Sequence, residues 1–256
     1  MSQFNTNTVN KNITAASLIA AAEQEAASVF DRIRKISEFN TFKVIDAFRK
    51  CEVSERHFAP TTGYGYSDQG REMLARLFSE IFRTEDAIVS PHFASGTHTL
   101  SVGLFGLLRP GDRFLSVTGT PYDTIRGVIG IEGNADGSMK DFGIGYCEVA
   151  LTSEGKMDIP AVMDALAADD TIKVVYIQRS RGYELRPSIT IAEMEKLIAA
   201  VREKYPQICV AVDNCYGEFT CTAEPKADLL VGSLIKNPGG GMALTGGYLA
   251  GRCDLV

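Results

Sequence analysis

From residue 86 onward, short apolar runs recur near 86–90, 113–118, 146–151, 172–178, 207–212 and 227–233, separated mostly by helical or loop-like stretches. Runs of four to eight residues bounded by turn formers read as buried strands. Two of the intervening segments carry clear helix signatures. One follows Asp158 and Pro160, a capping residue with an early proline. The other spaces Ile191, Met194, Ile198, Val201 and Tyr205 by three and four residues, which puts them on one helical face. Strand–helix alternation of this kind predicts an α/β fold, a mostly parallel sheet with helices on both faces. A last run, residues 245–251, follows the glycines at 239–241 and is expected to return antiparallel. Ligands of such sheets bind beyond the carboxyl ends of the strands, so the functional residues should lie just after them.

The chain before residue 86 reads differently. About a dozen residues look loose, and a helical composition then runs from about Ile13 to Lys50, with Val29, Ile33 and Ile36 on one face. The stretch Glu38–Thr41 is expected to interrupt it. A Gly/Tyr/Ser loop, Pro60–Gly70, leads into a second amphipathic helix through Met73, Leu74, Leu77, Phe78, Ile81 and Phe82. This divides the chain into an N-terminal helical arm, residues 1–60, and a large domain, residues 61–256. With 256 residues and 45% hydrophobic content the chain can bury a sizeable core. A net charge of -6 without a basic block argues against nucleic-acid and anionic-membrane partners. No apolar stretch is long enough to span a bilayer, and the polar start is no signal peptide. Six cysteines without a C-x-x-C pair, and histidines only at 57, 92 and 98, leave little for a metal site. Reduced thiols in a cytoplasmic protein are the economical reading.

Lys236 ends the apolar run 227–235 and stands directly before Asn237, Pro238 and the glycines. A lysine amine partly withdrawn from water is biased toward its neutral, nucleophilic form and can form a Schiff base with a carbonyl cofactor. A lysine at a strand mouth with its ammonium in water would show the same pattern. Three further strand ends bear on the choice. Ser95, Gly96 and Thr97 follow the run 86–90 and open a helix from about Thr99 to Leu108, where backbone N–H groups and the helix dipole favour an anion. An ordinary capping turn would look alike. Tyr122 follows the run 113–118 and could lie against a planar ring or simply pack under a loop. Asp213 ends the run 207–212, where a carboxylate needs a partner: a backbone nest, an arginine or a protonated heterocyclic nitrogen. Neither a G-x-x-x-x-G-K-[ST] loop nor a G-x-G-x-x-G fingerprint occurs after any strand. An anion cradle, a ring face, an aspartate and a lysine, in that order, are the four kinds of group that pyridoxal phosphate requires.

The chain resembles the fold-type-I pyridoxal-phosphate enzymes of the cysteine/methionine-metabolism branch, and within it the C–S lyases grouped as aluminium-resistance or methionine gamma-lyase-like proteins. The resemblance runs from about residue 30 to 256. It is carried by YGYSDQGR (Tyr64–Arg71), SGTH (Ser95–His98), LRPGD (Leu108–Asp112), GTPYDT (Gly119–Thr124), QRSRGY (Gln178–Tyr183), VDNCYGEF (Val212–Phe219) and GSLIKNPGGG (Gly232–Gly241). The resemblance implies the large domain of a fold-type-I transferase. It implies Lys236 as the Schiff-base lysine, Asp213 as the partner of the pyridine nitrogen and Tyr122 as the ring-stacking residue. Ser95, Gly96, Thr97 and Ser233 match phosphate ligands. Tyr66 and Arg71 match the region that reaches a neighbouring subunit's phosphate, which implies a homodimer or homotetramer with the site at the interface.

Three departures stand out. The wider branch has an arginine where this chain has Asp68, and a threonine where it has Ile235. Its small C-terminal domain, the usual source of an arginine for the substrate carboxylate, is absent from the sequence up to Val256. That leaves Arg179, Arg181 and Arg186 as candidates to hold a small amino-acid substrate. The implied reaction is elimination of a thiol from a sulfur-containing amino acid. Another reaction of the same cofactor (aldol cleavage, transamination or decarboxylation) or a non-catalytic fragment remains the alternative.

Overall fold

The computed structural model describes residues 14–64, 66, 68–133 and 136–256. The expected loose start lies outside the described residues. Helix α1 spans Ala15–Lys50 and begins at a capping box in which Thr14 and Ser17 satisfy each other's backbone N–H groups. It runs straight through 38–41, where the sequence suggested a break. The reason is tertiary. The Asn40 side chain, which elsewhere competes for its own backbone, donates instead to the carbonyls of Phe219 and Cys221 at 2.9 and 3.0 Å. Helix α2, Gln69–Phe82, is capped by Asp68, whose side chain accepts from the Arg71 N–H, and ends at Arg83 in the left-handed conformation. The cap gives Asp68, one of the departures from the wider branch, a local structural role.

A single sheet of seven strands follows, in the order β1-β7-β6-β5-β4-β2-β3. The strands are β1 (Asp86–Ser90), β2 (Arg113–Ser116), β3 (Gly145–Glu148), β4 (Ile172–Gln178), β5 (Cys209–Asp213), β6 (Leu229–Ser233) and β7 (Gly247–Gly251). Strand β7 pairs antiparallel with both β6 and β1, and the other pairs are parallel. Strand β1 therefore points the same way as β6, and the ends of β1, β2, β4, β5 and β6 all open on one edge. The expected antiparallel return of the last run is present as β7. Close passage of the Tyr248 ring requires a glycine on β6, since a Cβ at Gly232 would stand 2.3 Å from that ring.

Alternation along the strands sorts the core into two layers. Val175, Ile177, Val210, Val212 and Leu230 face a cluster built with α2, α5 (Ile159–Ala168) and α6 (Ile191–Lys204). Val174, Tyr176, Ala211, Leu229 and Val231 face the opposite cluster, built with α3 (Gly96–Leu107) and α4 (Asp123–Ile129). The same parity turns Asp213 and Ser233, the last residues of β5 and β6, toward α3. Helix α3 starts earlier than expected because Ser95 caps it, accepting from the His98 N–H at 3.1 Å. Helix α4 occupies a stretch that carries no helix signature in the sequence. Helix α1 keeps Leu18, Ile19, Phe30, Ile33, Phe42 and Phe48 exposed. No helix among the described residues is long and apolar enough to cross a membrane.

Candidate active site

Beyond the strand ends lies a cavity of about 210 Å³. Its lining brings together Ser95, Gly96 and Thr97 from the start of α3, Tyr122 after β2, Asp213 and Cys215 at the end of β5, and Lys236 after β6. Residues separated by up to 141 positions in the chain thus converge because parallel strands all end on the same edge.

Asp213 forms the floor. It is 5% exposed, and its carboxylate accepts from the Cys215 N–H at 3.1 Å and from the Tyr176 hydroxyl at 3.3 Å. It makes no ion pair among the described residues. Burial pushes its pKa above the usual carboxylate value, against the opposing pull of the Cys215 and Tyr176 hydrogen bonds and the Lys236 charge.

Lys236 is half-buried, between the two placements its sequence position allowed. Its ammonium donates to the Tyr216 hydroxyl at 2.6 Å and lies 4.4 Å from the centre of the Tyr216 ring. Tyr216 was missed at the level of sequence. Its signal there was faint: a tyrosine in the loop after a strand-end Asp-Asn.

At the α3 N-terminus Ser233 is fully buried and its hydroxyl has no hydrogen-bond partner among the described residues. A Cβ at Gly96 would come 3.2 Å from the Ser233 Cβ, a tight contact that glycine avoids. Thr97 shares a 2.6 Å hydrogen bond with Thr124. Tyr122 is held by its backbone N–H, which donates to the Gln178 side chain at 2.6 Å. Gln178, a buried polar residue at the tip of β4, is a second participant the sequence reading gave no role. The Tyr122 ring lies 5.7 Å from that of Tyr183, and the neighbouring Tyr183 side chain holds the Tyr122 phenol up at about 12.

The three candidate arginines part company. Arg179 is buried and its guanidinium is already committed. It donates to Asn214 at 2.7 Å and to Glu224 at 2.8 Å, with Thr220 at 3.3 Å. It does not line the cavity. Arg181 is exposed and lines an adjoining cavity of about 230 Å³ that shares Tyr122, Ser180 and Tyr216 with the first. Arg186 is half-buried and donates only to the carbonyls of Ser180 and Pro187, at 2.9 and 3.1 Å. Burial pushes its pKa down. Tyr66 is 83% exposed, while Arg71 pairs with Asp68 and donates to the Gly63 carbonyl. Neither lines the cavity. Ile235, where the wider branch has threonine, does.

A family model for methionine gamma-lyase matches residues 15–256. The chain belongs to that family. The Bacillus subtilis protein YnbB, itself uncharacterized, is 49% identical over 238 residues, covering 91% of this chain and 56% of that protein. A Listeria innocua protein, described by its crystal structure as a candidate cystathionine beta-lyase involved in aluminum resistance, is 49% identical with a TM-score of 0.91. That match covers 95% of this chain and 60% of the Listeria chain. The pyridoxal-5'-phosphate dependent protein YhfS of Escherichia coli shares the fold at 17% identity, with a TM-score of 0.65 and 87% and 56% of the two chains covered. This chain thus spans less than two thirds of the length of each of these relatives.

Proposed function

We propose that this chain carries pyridoxal phosphate on Lys236 and serves a lyase that breaks a carbon–sulfur bond in an amino acid. The observation that carries the proposal is the meeting of the Lys236 amine with a buried, uncompensated Asp213 carboxylate in one cavity beside the α3 N-terminus. The unpartnered Ser233 hydroxyl and the close approach that Gly96 permits fit a phosphate there, and a buried Asp213 carboxylate without an ion pair fits a protonated ring nitrogen. The Escherichia coli protein named as dependent on pyridoxal phosphate, and the Listeria relative described as a candidate cystathionine beta-lyase, support the same reading.

When bound, the cofactor supplies an aldehyde for capture of amines and a ring that accepts electron density from the substrate's α-carbon. Everything else falls to the chain. Ser95, Gly96, Thr97 and Ser233 hold the phosphate through backbone N–H groups and hydroxyls. Asp213 stabilises a proton on the ring nitrogen, a strong interaction because the carboxylate is out of water. Tyr122 borders the ring. Lys236, which lines the cavity, would take the proton from the α-carbon. Arg181, which lines the adjoining cavity, would hold the substrate carboxylate, since Arg179 is occupied elsewhere and Arg186, which donates to the Ser180 and Pro187 carbonyls, lines neither cavity. The substrate's sulfur would depart with the electrons of the broken carbon–sulfur bond and take up the proton that Lys236 holds, leaving as a thiol. The domain division at residues 60 and 61 fits an arm, α1, followed by the cofactor domain. Tyr66 and Arg71, off the cavity of their own chain, complete the phosphate seat of a second copy; a monomer by sedimentation would refute that part. Six free cysteines suit a reducing compartment, the cytoplasm.

The test is direct. Chain incubated with the cofactor should turn yellow, and borohydride should fix a pyridoxyl group on the peptide containing Lys236. Assays with sulfur-containing amino acids should then yield a thiol and a 2-oxo acid. Label on another lysine, or an aldehyde product in place of a thiol, would overturn the respective half of the reading.

A further inference from the structure

Four non-glycine residues among those described have positive φ: Glu52, Arg83, Tyr216 and Phe219. Glu52 and Arg83 follow the ends of α1 and α2, where a left-handed residue commonly terminates a helix. Tyr216, at φ 66°, ends no helix. A bulky residue in this region is held there by its surroundings, and such positions cluster at functional sites. Burial of the ring does not explain the conformation, because Tyr216 is 53% exposed.

What holds it is the segment that carries the lysine. Asn237, the next residue after Lys236, donates its side-chain amide to the Tyr216 carbonyl at 3.2 Å and to the Glu218 carbonyl at 2.8 Å. Lys236 itself reaches the hydroxyl at the other end of the same tyrosine, at 2.6 Å. Two consecutive residues thus grip Tyr216 at its backbone and at its tip. Tyr216 also lines both the cofactor cavity and the adjoining cavity that carries Arg181.

We propose that Tyr216 is the positioning residue for Lys236: its hydroxyl aims the amine into the cavity, and its left-handed backbone exists to bring the hydroxyl there. A phenol suits the task because it accepts from an ammonium and donates to a free amine. The lysine thus keeps the same partner whether or not it holds the proton, with no proton transferred to or from the tyrosine. The proposal rests on the reading of Lys236 as the cofactor lysine.

The test compares the full chain with Tyr216→Phe, which keeps the ring and removes only the hydroxyl, and with Tyr216→Gly, which also releases the backbone. Two reactions are followed at Lys236 by peptide mapping: capture of pyridoxal phosphate under borohydride, and reductive methylation by formaldehyde. Cofactor capture needs an amine aimed into the cavity, whereas formaldehyde needs only an accessible one. Both variants should capture the cofactor at least tenfold more slowly than the parent, yet be methylated at Lys236 within about twofold of the parental rate. Tyr216→Gly should melt at or above the parental temperature, the mark of a relaxed left-handed position. Capture by Tyr216→Phe at the parental rate would overturn the proposal while leaving Lys236 as the cofactor lysine. So would an equal loss in both reactions, since the hydroxyl would then act on reactivity and not on aim. A parent chain that captures no cofactor at Lys236 would overturn the functional reading itself, and this proposal with it.

Discussion

Replacing Arg179 by methionine separates a structural arginine from a substrate-binding one. In the folded chain the Arg179–Glu224 pair is at 2.8 Å, with side chains 5% and 1% exposed. The Glu224 carboxylate also accepts from the Asn214 amide at 3.0 Å and from the Phe219 N–H at 3.0 Å. Arg179→Met removes the only cation paired with that carboxylate among the described residues and leaves a charge shut away from water. Breaking a buried pair from one side typically costs about 3–5 kcal/mol, because the surviving charge loses its compensation. Neighbouring hydrogen bonds to Asn214 and Phe219 remain, so the lower half of that range is expected. With a urea dependence of about 1–3 kcal/mol/M, the unfolding midpoint should fall by at least about 1 M. Arg181→Met, at an exposed position, should move it by no more than the roughly 0.5 kcal/mol typical of a surface change. The control is Arg179→Met combined with Glu224→Gln, which removes the stranded charge and should recover much of the loss. The reasoning fails if Arg179→Met unfolds at the parental midpoint and only weakens amino-acid binding. That outcome would mean the guanidinium serves the substrate after all.

Two further outcomes follow from the same neighbourhood. Asp213→Asn keeps the shape of the cavity floor but removes its charge. Exchange of the α-hydrogen of a bound amino acid, followed by NMR in deuterated water, should slow by more than about a hundredfold; a loss of only a few fold would refute the charge-holding role. Glu218 is fully buried, one oxygen accepts from the Tyr248 hydroxyl at 3.0 Å, the other has no partner, and burial pushes its pKa from 4.5 up to about 8. The folded chain then keeps a proton that the unfolded chain releases, so the Glu218 contribution to stability is full below about pH 4.5 and is lost as pH rises to 8. Glu218→Gln cannot lose that proton. Between pH 5 and 9 the parent should become less stable relative to the variant, by roughly 2–5 kcal/mol; parallel pH profiles would contradict this.

The path from residues to fold was legible wherever the signal is local. Strand runs at 172–178 and 227–233 are marked by continuous apolar stretches, and the observed β4 and β6 fall within them. The cap at Asp158 announces α5 because it satisfies backbone groups within a few residues, and the spacing of Ile191, Met194, Ile198 and Val201 announces α6. The order of the chemistry, Ser95 to Tyr122 to Asp213 to Lys236, could be read as well, since a parallel α/β sheet sends every strand end to one edge. The features the sequence left open, or got wrong, depend on partners far away in the chain. Asn40 looked like a break in α1 until Phe219 and Cys221, about 180 positions on, took its amide. Arg179 looked like one of three equivalent arginines. A guanidinium carries the same charge and the same five donors whether it meets a substrate or a buried glutamate, and only the packing of the Gly217–Glu224 loop against β4 and β5 decides which. Lys236 shows the division most clearly. Its place after a buried strand is written in the sequence. The partner that receives its ammonium comes from a left-handed turn twenty residues earlier, and such a turn leaves no trace in hydrophobic periodicity because it is fixed by hydrogen bonds, some of them to Asn237 far along the chain, and not by apolar burial.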